Sequence, residues 1–360
     1  MNNEQTIPPL RLLFWESTSR CNLSCVHCRR QDTSAEAAKD DLSTDQAKAL
    51  MTSVAGMARG TGISCGAGVP PAPRCIFVFS GGEPLLRPDW EELATFARER
   101  GLMTALATNG TLIDARVADR VAAVGFHRVS VSLDGADAAT HDAFRSADGA
   151  FDRAMAGVAA LRRAGVSVQI NATISRHNLR QLDALHALAR EQGAVAMHLF
   201  LLVPVGCGAK IETTHQLPAV DYERVLNWLC DRQADLTAAG DRFELKATCA
   251  PHYIRVASMR AAKRGAGGCL CGSAVAFVSH RGQVFPCGYL PIECGLVCET
   301  DFATIWRDSP IFAALRQPGN RGGKCGRCEF NPRCGGCRAR AFAATGDYMA
   351  EEPFCGWRVT

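Results

Sequence analysis

The stretch LRLLFWESTSRCNLSCVHC, residues 10–28, decides how this chain is read. Its first half is an apolar run with the texture of a β-strand, and it gives way to small polar residues at Ser17, Thr18 and Ser19. Cys21, Cys25 and Cys28 follow at once in C-x3-C-x2-C spacing. Three clustered thiolates can hold three irons of a 4Fe–4S cube and leave the remaining iron open to another ligand. Structural zinc takes four ligands, so three cysteines alone argue for an open site; His27 is the residue that would complete a zinc site instead. A loop leaving the C-terminal end of a strand lies on the face where barrel enzymes do their chemistry.

Beyond that loop, short apolar runs alternate with helical patterns up to Pro204. The expected strands are LRLLFWES (10–17), CIFVFS (75–80), MTALAT (103–108), RVSVSL (128–133), VSVQINATI (166–174) and MHLFLLV (197–203). Between them lie segments such as 43–57, with Ser43 as an N-cap, and 89–101, acidic at its start and closed by a glycine, as helix termini prefer. Six strands alternating with helices imply a parallel sheet with right-handed crossovers. The expected fold is α/β, an open, partial (βα)6 TIM-like barrel, with a doubly wound sheet as the alternative. A longer helix near 219–239 closes this part, after which Cys, Gly and Arg become dense. The boundary is placed at residue 240: a barrel over 1–239 and a small cysteine-rich domain over 240–360. The Gly/Pro-rich loop 59–75 belongs to the opposite, N-terminal end of the strands, so Cys65 and Cys75 read as plain thiols.

The bulk numbers narrow the class. Charged residues make up 21 % of the 360 and hydrophobic ones 47 %, the balance of a globular protein. A net charge of +4 gives no reason to expect a nucleic-acid partner, and no apolar run reaches the roughly 18 residues that span a bilayer. Without a basic-plus-apolar leader the chain reads as cytoplasmic. Its 18 cysteines, in C-x2-C and C-x3-C clusters within a reducing compartment, point to metal ligation over disulfides.

CNLSCVHC after a first strand, followed by SGGEP after the second, resembles the radical S-adenosylmethionine (SAM) enzymes. In that family the open iron of the cluster binds the amino and carboxylate groups of SAM, and reduction yields a 5′-deoxyadenosyl radical. The resemblance implies that Cys21, Cys25 and Cys28 are the cluster ligands and catalytic centre, and that His27, Gly81, Gly82, Glu83, Thr108, Asn109, Ser132 and Asn171 meet SAM. Asp134 joins them as a lining residue of the SAM and substrate cavity. Two glycines allow close backbone approach, and Glu83 supplies an acceptor for an ammonium. The chain departs from the family in having His27 where many members have an aromatic, and in lacking an evident apolar adenine motif on strand five.

A second cysteine field follows residue 240. CLCGSAVAFVSHRGQVFPCGYL (269–290) reads as a β-hairpin turning at Arg281-Gly282. The C-x10-G-x4-C pattern from Cys271 to Cys287, with the array Cys325, Cys328, Cys334, Cys337 and Cys355, resembles the SPASM extension of radical SAM enzymes. One internal spacing is x2 where the extension ordinarily has x3. By that resemblance Cys325, Cys328, Cys334 and Cys355 hold one auxiliary 4Fe–4S cluster. Cys269, Cys287 and Cys337 hold a second, with Cys249, Cys271 or Cys294 as the fourth ligand. All-cysteine zinc is the alternative for the four-cysteine array 325–337.

RLLFWESTSRCNLSCVHCR, KATCAPHYIR, PCGYLPIECG and the segment 325–355 resemble, within this superfamily, the haem synthases of the siroheme-dependent pathway. That implies iron-coproporphyrin III as substrate, with two propionates oxidatively decarboxylated to vinyls, and a low-potential electron donor such as ferredoxin or flavodoxin. A tetracarboxylate needs cations, and Arg29, Arg30, Lys210, Arg338 and Arg340 are the candidates. His252 and His280 are candidate ligands of the substrate iron, against an ordinary structural role. The alternatives are removal of acetates from decarboxylated siroheme, peptide modification, and a zinc-binding module without catalysis.

Overall fold

The computed structural model describes residues 7–30, 36–60, 75–260 and 268–358; Cys65 lies outside them. All six expected strands form: β1 (Leu12–Thr18), β2 (Ile76–Gly81), β3 (Met103–Thr108), β4 (Arg128–Ser132), β5 (Val168–Ile174) and β6 (Ala196–Leu201). They pair in parallel and in sequence order. The chain then adds β7 (Glu244–Thr248), parallel to β6, so the sheet runs on past residue 240. On the other flank, β8 (Val275–Val278) pairs in parallel with β1, with Leu12 opposite Val275 and Trp15 opposite Val278. The expected hairpin is formed by β8 and β9 (Gln283–Phe285), and β10 (Gly295–Leu296) pairs antiparallel beside it. The result is a ten-stranded open sheet with β7 at one edge and β10 at the other.

Alternation along each strand divides the work. Leu13, Trp15, Phe77, Phe79, Val129, Val131, Val168 and Ile170 are buried in the main core, under the helices that follow each strand. Those helices contribute residues such as Met51, Leu93, Val121, Leu161 and Leu185. The intervening residues, including Glu16, Ser132, Asn171 and His198, take the opposite face of the sheet. Helix ends follow their caps: Ser43 and Gln46 exchange hydrogen bonds at the start of Thr44–Gly60, a reciprocal capping box. The long helix is Ala219–Ala238. No helix among the described residues is long and apolar enough to cross a membrane.

Candidate active site

The loop carrying Cys21, Cys25 and Cys28 leaves the C-terminal end of β1 and lies against the Gly81–Glu83 turn that ends β2. Gly82 N–H donates to Thr18 C=O at 2.9 Å and Glu83 N–H to Arg20 C=O at 2.6 Å. A Cβ on Gly82 would stand 2.0 Å from the Arg20 carbonyl oxygen, and one on Gly81 2.5 Å from that of Thr18. The glycines therefore permit close approach, and what approaches is the cysteine loop's own backbone. From the far side, Gly206 (φ 59°) brings the turn after β6 against Arg29, and Cys207 N–H donates to Cys28 C=O at 2.8 Å. The three thiols sit within electrostatic reach of one another, burial pushing that of Cys21 up to about 11, with Cys25 and Cys28 contributing. Desolvated thiols such as those of Cys21 and Cys25, raised by burial, are what a cationic cluster would neutralise. Cys75 sits instead at the entry of β2, fully covered by the core, and burial pushes its thiol up to about 12.

Glu83 is completely buried. It accepts from Thr108 Oγ1 and from the Asn109 backbone N–H, both at 2.8 Å, and from Leu85 N–H at 3.3 Å. Burial still pushes its carboxyl up to about 7. Asn109 in turn donates to Asn22 Oδ1 at 2.8 Å, tying the end of β3 to the cysteine loop. Thr108, Asn109 and Glu83 are thus one cluster.

Asp134, at the end of β4, is the second centre. Its carboxylate meets Arg145 at 2.5 Å, His27 Nε2 at 3.2 Å and the Thr173 backbone N–H at 2.6 Å. Burial alone would raise its pKa, but the Arg145 guanidinium and His27 outweigh burial and hold it well below the carboxylate range. Arg145 also reaches Cys25 Sγ at 3.7 Å. His27 stacks on Phe144, ring centroids 4.0 Å apart and 8° from parallel, and Phe144 stacks on His177 at 5.0 Å. The sequence pattern singled out Asp134 and His27; Arg145 and Phe144 it missed, because the short helix Ala138–Arg145 looks like any amphipathic one. Asn171 accepts from Gln169 at 2.6 Å, while Gln169 also contacts His198 at 3.0 Å, and Ser132 is the register partner of Asn171.

Glu16, a lone acid within an apolar strand, was a signal available from the sequence. It binds Arg29 at 2.9 Å, Arg30 at 3.2 Å and His280 at 2.7 Å. Burial raises its pKa, and Arg29 with His280 and Arg30 brings it down to about 2. Of the five cations expected on substrate carboxylates, Arg29 lies over the Phe277 ring, Arg30 is buried and donates to Thr18 and Ser19 carbonyls, and Lys210 is exposed. Arg338 and Arg340 are buried and serve the chain itself. Arg340 pairs with the equally buried Glu352 at 2.9 Å, and Arg338 donates to the carbonyls of Tyr348 and Ala350. Their alternation with apolar residues in RARAF reads as surface charge, but tertiary burial overrides it.

The second cysteine field divides in space. Cys325, Cys328, Cys334 and Cys355 line one pocket, together with His252, Lys324 and Glu352, and Cys337 is not among its lining residues. Cys337 lies with a different group: Cys249 is electrostatically coupled to Cys337, Cys287 and Cys269. Cys271 lies with Cys269 and Cys287, and Cys287 is also a neighbour of Cys294. Cys249 holds a positive φ of 56°, a conformation costly for a side chain with a Cβ. His280 lies with Glu16, away from that pocket.

A parallel partial barrel with a three-cysteine loop at the C-terminal mouth of its first strand defines a class of enzymes that handle SAM through an iron–sulfur site. Comparison with known proteins makes this specific. Residues 15–189 match the model of the radical SAM superfamily. The chain is 44 % identical over 97 % of its length, and of the relative's, to an "AdoMet-dependent heme synthase" of Methanosarcina barkeri. It is 42 % identical to a protein of the same description from Nitratidesulfovibrio vulgaris, covering 99 % of this chain and 94 % of that one. A "Pre-heme d1 synthase" of Dinoroseobacter shibae is 33 % identical, over 96 % and 86 % of the two chains. Among solved structures, Streptococcus suis SuiB bound to precursor peptide SuiA superposes with a TM-score of 0.74 at 16 % identity, over 98 % of this chain and 76 % of that one. Native anSMEcpe with bound AdoMet and Cp18Cys peptide gives 0.72 at 19 %, over 97 % and 94 %. The chain belongs to the radical SAM superfamily and is a radical SAM enzyme. Membership implies a 4Fe–4S cluster and SAM.

Proposed function

We propose that this enzyme is a haem synthase that oxidatively decarboxylates two propionates of iron-coproporphyrin III to vinyl groups, giving haem b. The observation that carries the reading is the 44 % identity to an AdoMet-dependent heme synthase along 97 % of both chains, cysteine field included. With Cys21, Cys25 and Cys28 as its ligands, the cluster with SAM supplies a 5′-deoxyadenosyl radical able to take hydrogen from an unactivated carbon.

The other tasks fall to the chain's own groups. Glu83, aimed by Thr108 and Asn109, presents a carboxylate for the SAM ammonium. Gly81 and Gly82 hold that turn against the cysteine loop. His27, fixed by Asp134 and by stacking on Phe144, sits within the cysteine loop between Cys25 and Cys28, and Ser132 and Asn171 line the strand ends beyond it. Arg29, held by Glu16 over Phe277, and the exposed Lys210 remain the candidates for substrate carboxylates, with Arg338 and Arg340 as buried supports. Cys325, Cys328, Cys334 and Cys355 would hold one auxiliary cluster, and Cys249, Cys269, Cys287 and Cys337 a second. Such clusters give the electron released with each carbon dioxide somewhere to go, and a cytoplasmic ferredoxin or flavodoxin supplies the reducing electron.

Anaerobic incubation of the reconstituted protein with SAM, a low-potential reductant and iron-coproporphyrin III tests the reading. Haem b and 5′-deoxyadenosine are expected together. Deoxyadenosine without porphyrin conversion sinks the substrate assignment, and a parallel reaction with didecarboxysiroheme then tests the second reading, which the 33 % identity to a pre-heme d1 synthase favours.

A further inference from the structure

His252 has no exposed surface, and neither of its ring nitrogens has a hydrogen-bond partner within the protein. It is the one histidine among the described residues with both nitrogens buried and unpartnered. A neutral imidazole carries one donor and one acceptor, and leaving them unsatisfied in a protein interior is costly.

The acceptors near it are already engaged, and the partnerless Arg340 Nη1 and Arg255 Nε are donors that cannot take its N–H. The Tyr222 ring packs 5.5 Å from the imidazole, but its hydroxyl accepts from Gln216 and donates to the Leu202 carbonyl. Glu352 accepts from Arg340 and from the backbone N–H groups of Cys337 and Phe354. Lys324 donates to the Cys355 carbonyl, and Arg255 is paired with Glu223. What remains on the wall that His252 shares is sulfur: the thiols of Cys325, Cys328, Cys334 and Cys355 line the same pocket. Cys325 Sγ already collects two donors, the Glu352 backbone N–H at 3.3 Å and Arg338 at 3.9 Å.

We infer that His252 donates an N–H hydrogen bond to a sulfur of the auxiliary cluster held by Cys325, Cys328, Cys334 and Cys355, and so raises that cluster's reduction potential. This rests on the proposal that those cysteines hold such a cluster. Hydrogen bonds to cluster sulfurs stabilise the more negative, reduced state, so each one lost makes the cluster harder to reduce. His252 is in this reading a positioning residue for electron acceptance, and it is not a ligand of the substrate iron.

The test uses full-length protein with Cys21, Cys25 and Cys28 replaced by alanine, so that the SAM-cluster signal is absent. The signal of the cluster in question is assigned by its loss in Cys328→Ala. Iron and sulfide per chain are measured for the parent, His252→Leu and His252→Gln, followed by reductive titration monitored by electron paramagnetic resonance. Expected are equal cluster contents, a midpoint shifted to more negative potential in His252→Leu, and a midpoint near the parent's in His252→Gln, which keeps an N–H donor. Independently of any variant, the 15N-histidine-labelled parent should show a weak nitrogen coupling to the reduced cluster. Unchanged midpoints and no coupling, with the cluster present, overturn the inference. A strong coupling does so as well, since it marks nitrogen bound directly to iron. A parent with zinc and no iron at these cysteines overturns the auxiliary-cluster proposal itself, and is recognised by metal content before any potential is read.

Discussion

Glu83 combines complete burial with three donors, and burial dominates: its carboxyl is held up to about 7 from an ordinary value of 4.5. The folded chain keeps this proton while the unfolded chain has lost it. The group therefore costs stability increasingly as pH rises from 4.5 to about 7, and by a constant amount above. An ammonium seated against the carboxylate would relieve that cost. SAM binding near pH 6 should then release protons and tighten as pH approaches about 7. Calorimetry in buffers of different ionisation heat reads the proton count. Glu83→Gln should abolish the release and weaken SAM binding by about 1–3 kcal/mol; an unchanged proton count in the variant would place the ionisation elsewhere. Glu16 behaves with the opposite sign. Its pKa is lowered to about 2, so its stabilising contribution is complete above about 4.5 and is lost as pH falls toward about 2. Glu16→Gln leaves Arg29, Arg30 and His280 facing one another, which should cost roughly 3–5 kcal/mol at pH 7. Urea denaturation of the apo-protein at pH 7 and at pH 3 should show the difference shrinking in acid.

At the scale of elements, the cysteine loop is shaped by two turns that press on it from neighbouring strands, at Gly82 and at Gly206. Gly82→Ala would force a methyl against the Arg20 carbonyl, and backbone cannot yield as a flexible side chain can. The variant is expected to fold but to lose iron at this loop and, with it, SAM cleavage; full iron content with full cleavage would show that the loop tolerates the displacement. The strands themselves were legible in the sequence, because β1 to β6 carry short apolar or alternating runs between helical patterns. β7 was not: in ELKAT the residues that alternate with Leu245 are polar, and only its pairing with β6 reveals it. The resemblance named the candidate ligand cysteines, but motif spacing says nothing about burial. That is why Arg338 and Arg340 stood as candidates for substrate carboxylates although they are buried, and why the full burial of His252, a candidate iron ligand weighed against a structural role, was not foreseen.

For the molecule as a whole, the separation of Cys337 from the pocket lined by its three array neighbours has a measurable consequence. Cys328→Ala and Cys249→Ala should each lower iron by about four per chain, and the double variant by about eight. Equal loss in the single and double variants would mean one shared site. The resemblance already divided this array, with a single zinc site as the alternative; what spacing could not indicate is that Cys249 lies with Cys269, Cys287 and Cys337. The pairing of β8 with β1 reaches further, into how the chain is made. β1 emerges from the ribosome first and meets β2 early, but its other flank stays uncovered until residues 275–278 have been synthesised. A nascent chain thus carries an open, apolar edge through most of its translation, the situation in which strands find wrong partners. Expression of residues 1–239 alone should accordingly yield aggregate, recoverable as soluble protein by co-expressing residues 240–360, whereas a soluble, monodisperse fragment would show that β1 does not need its late partner.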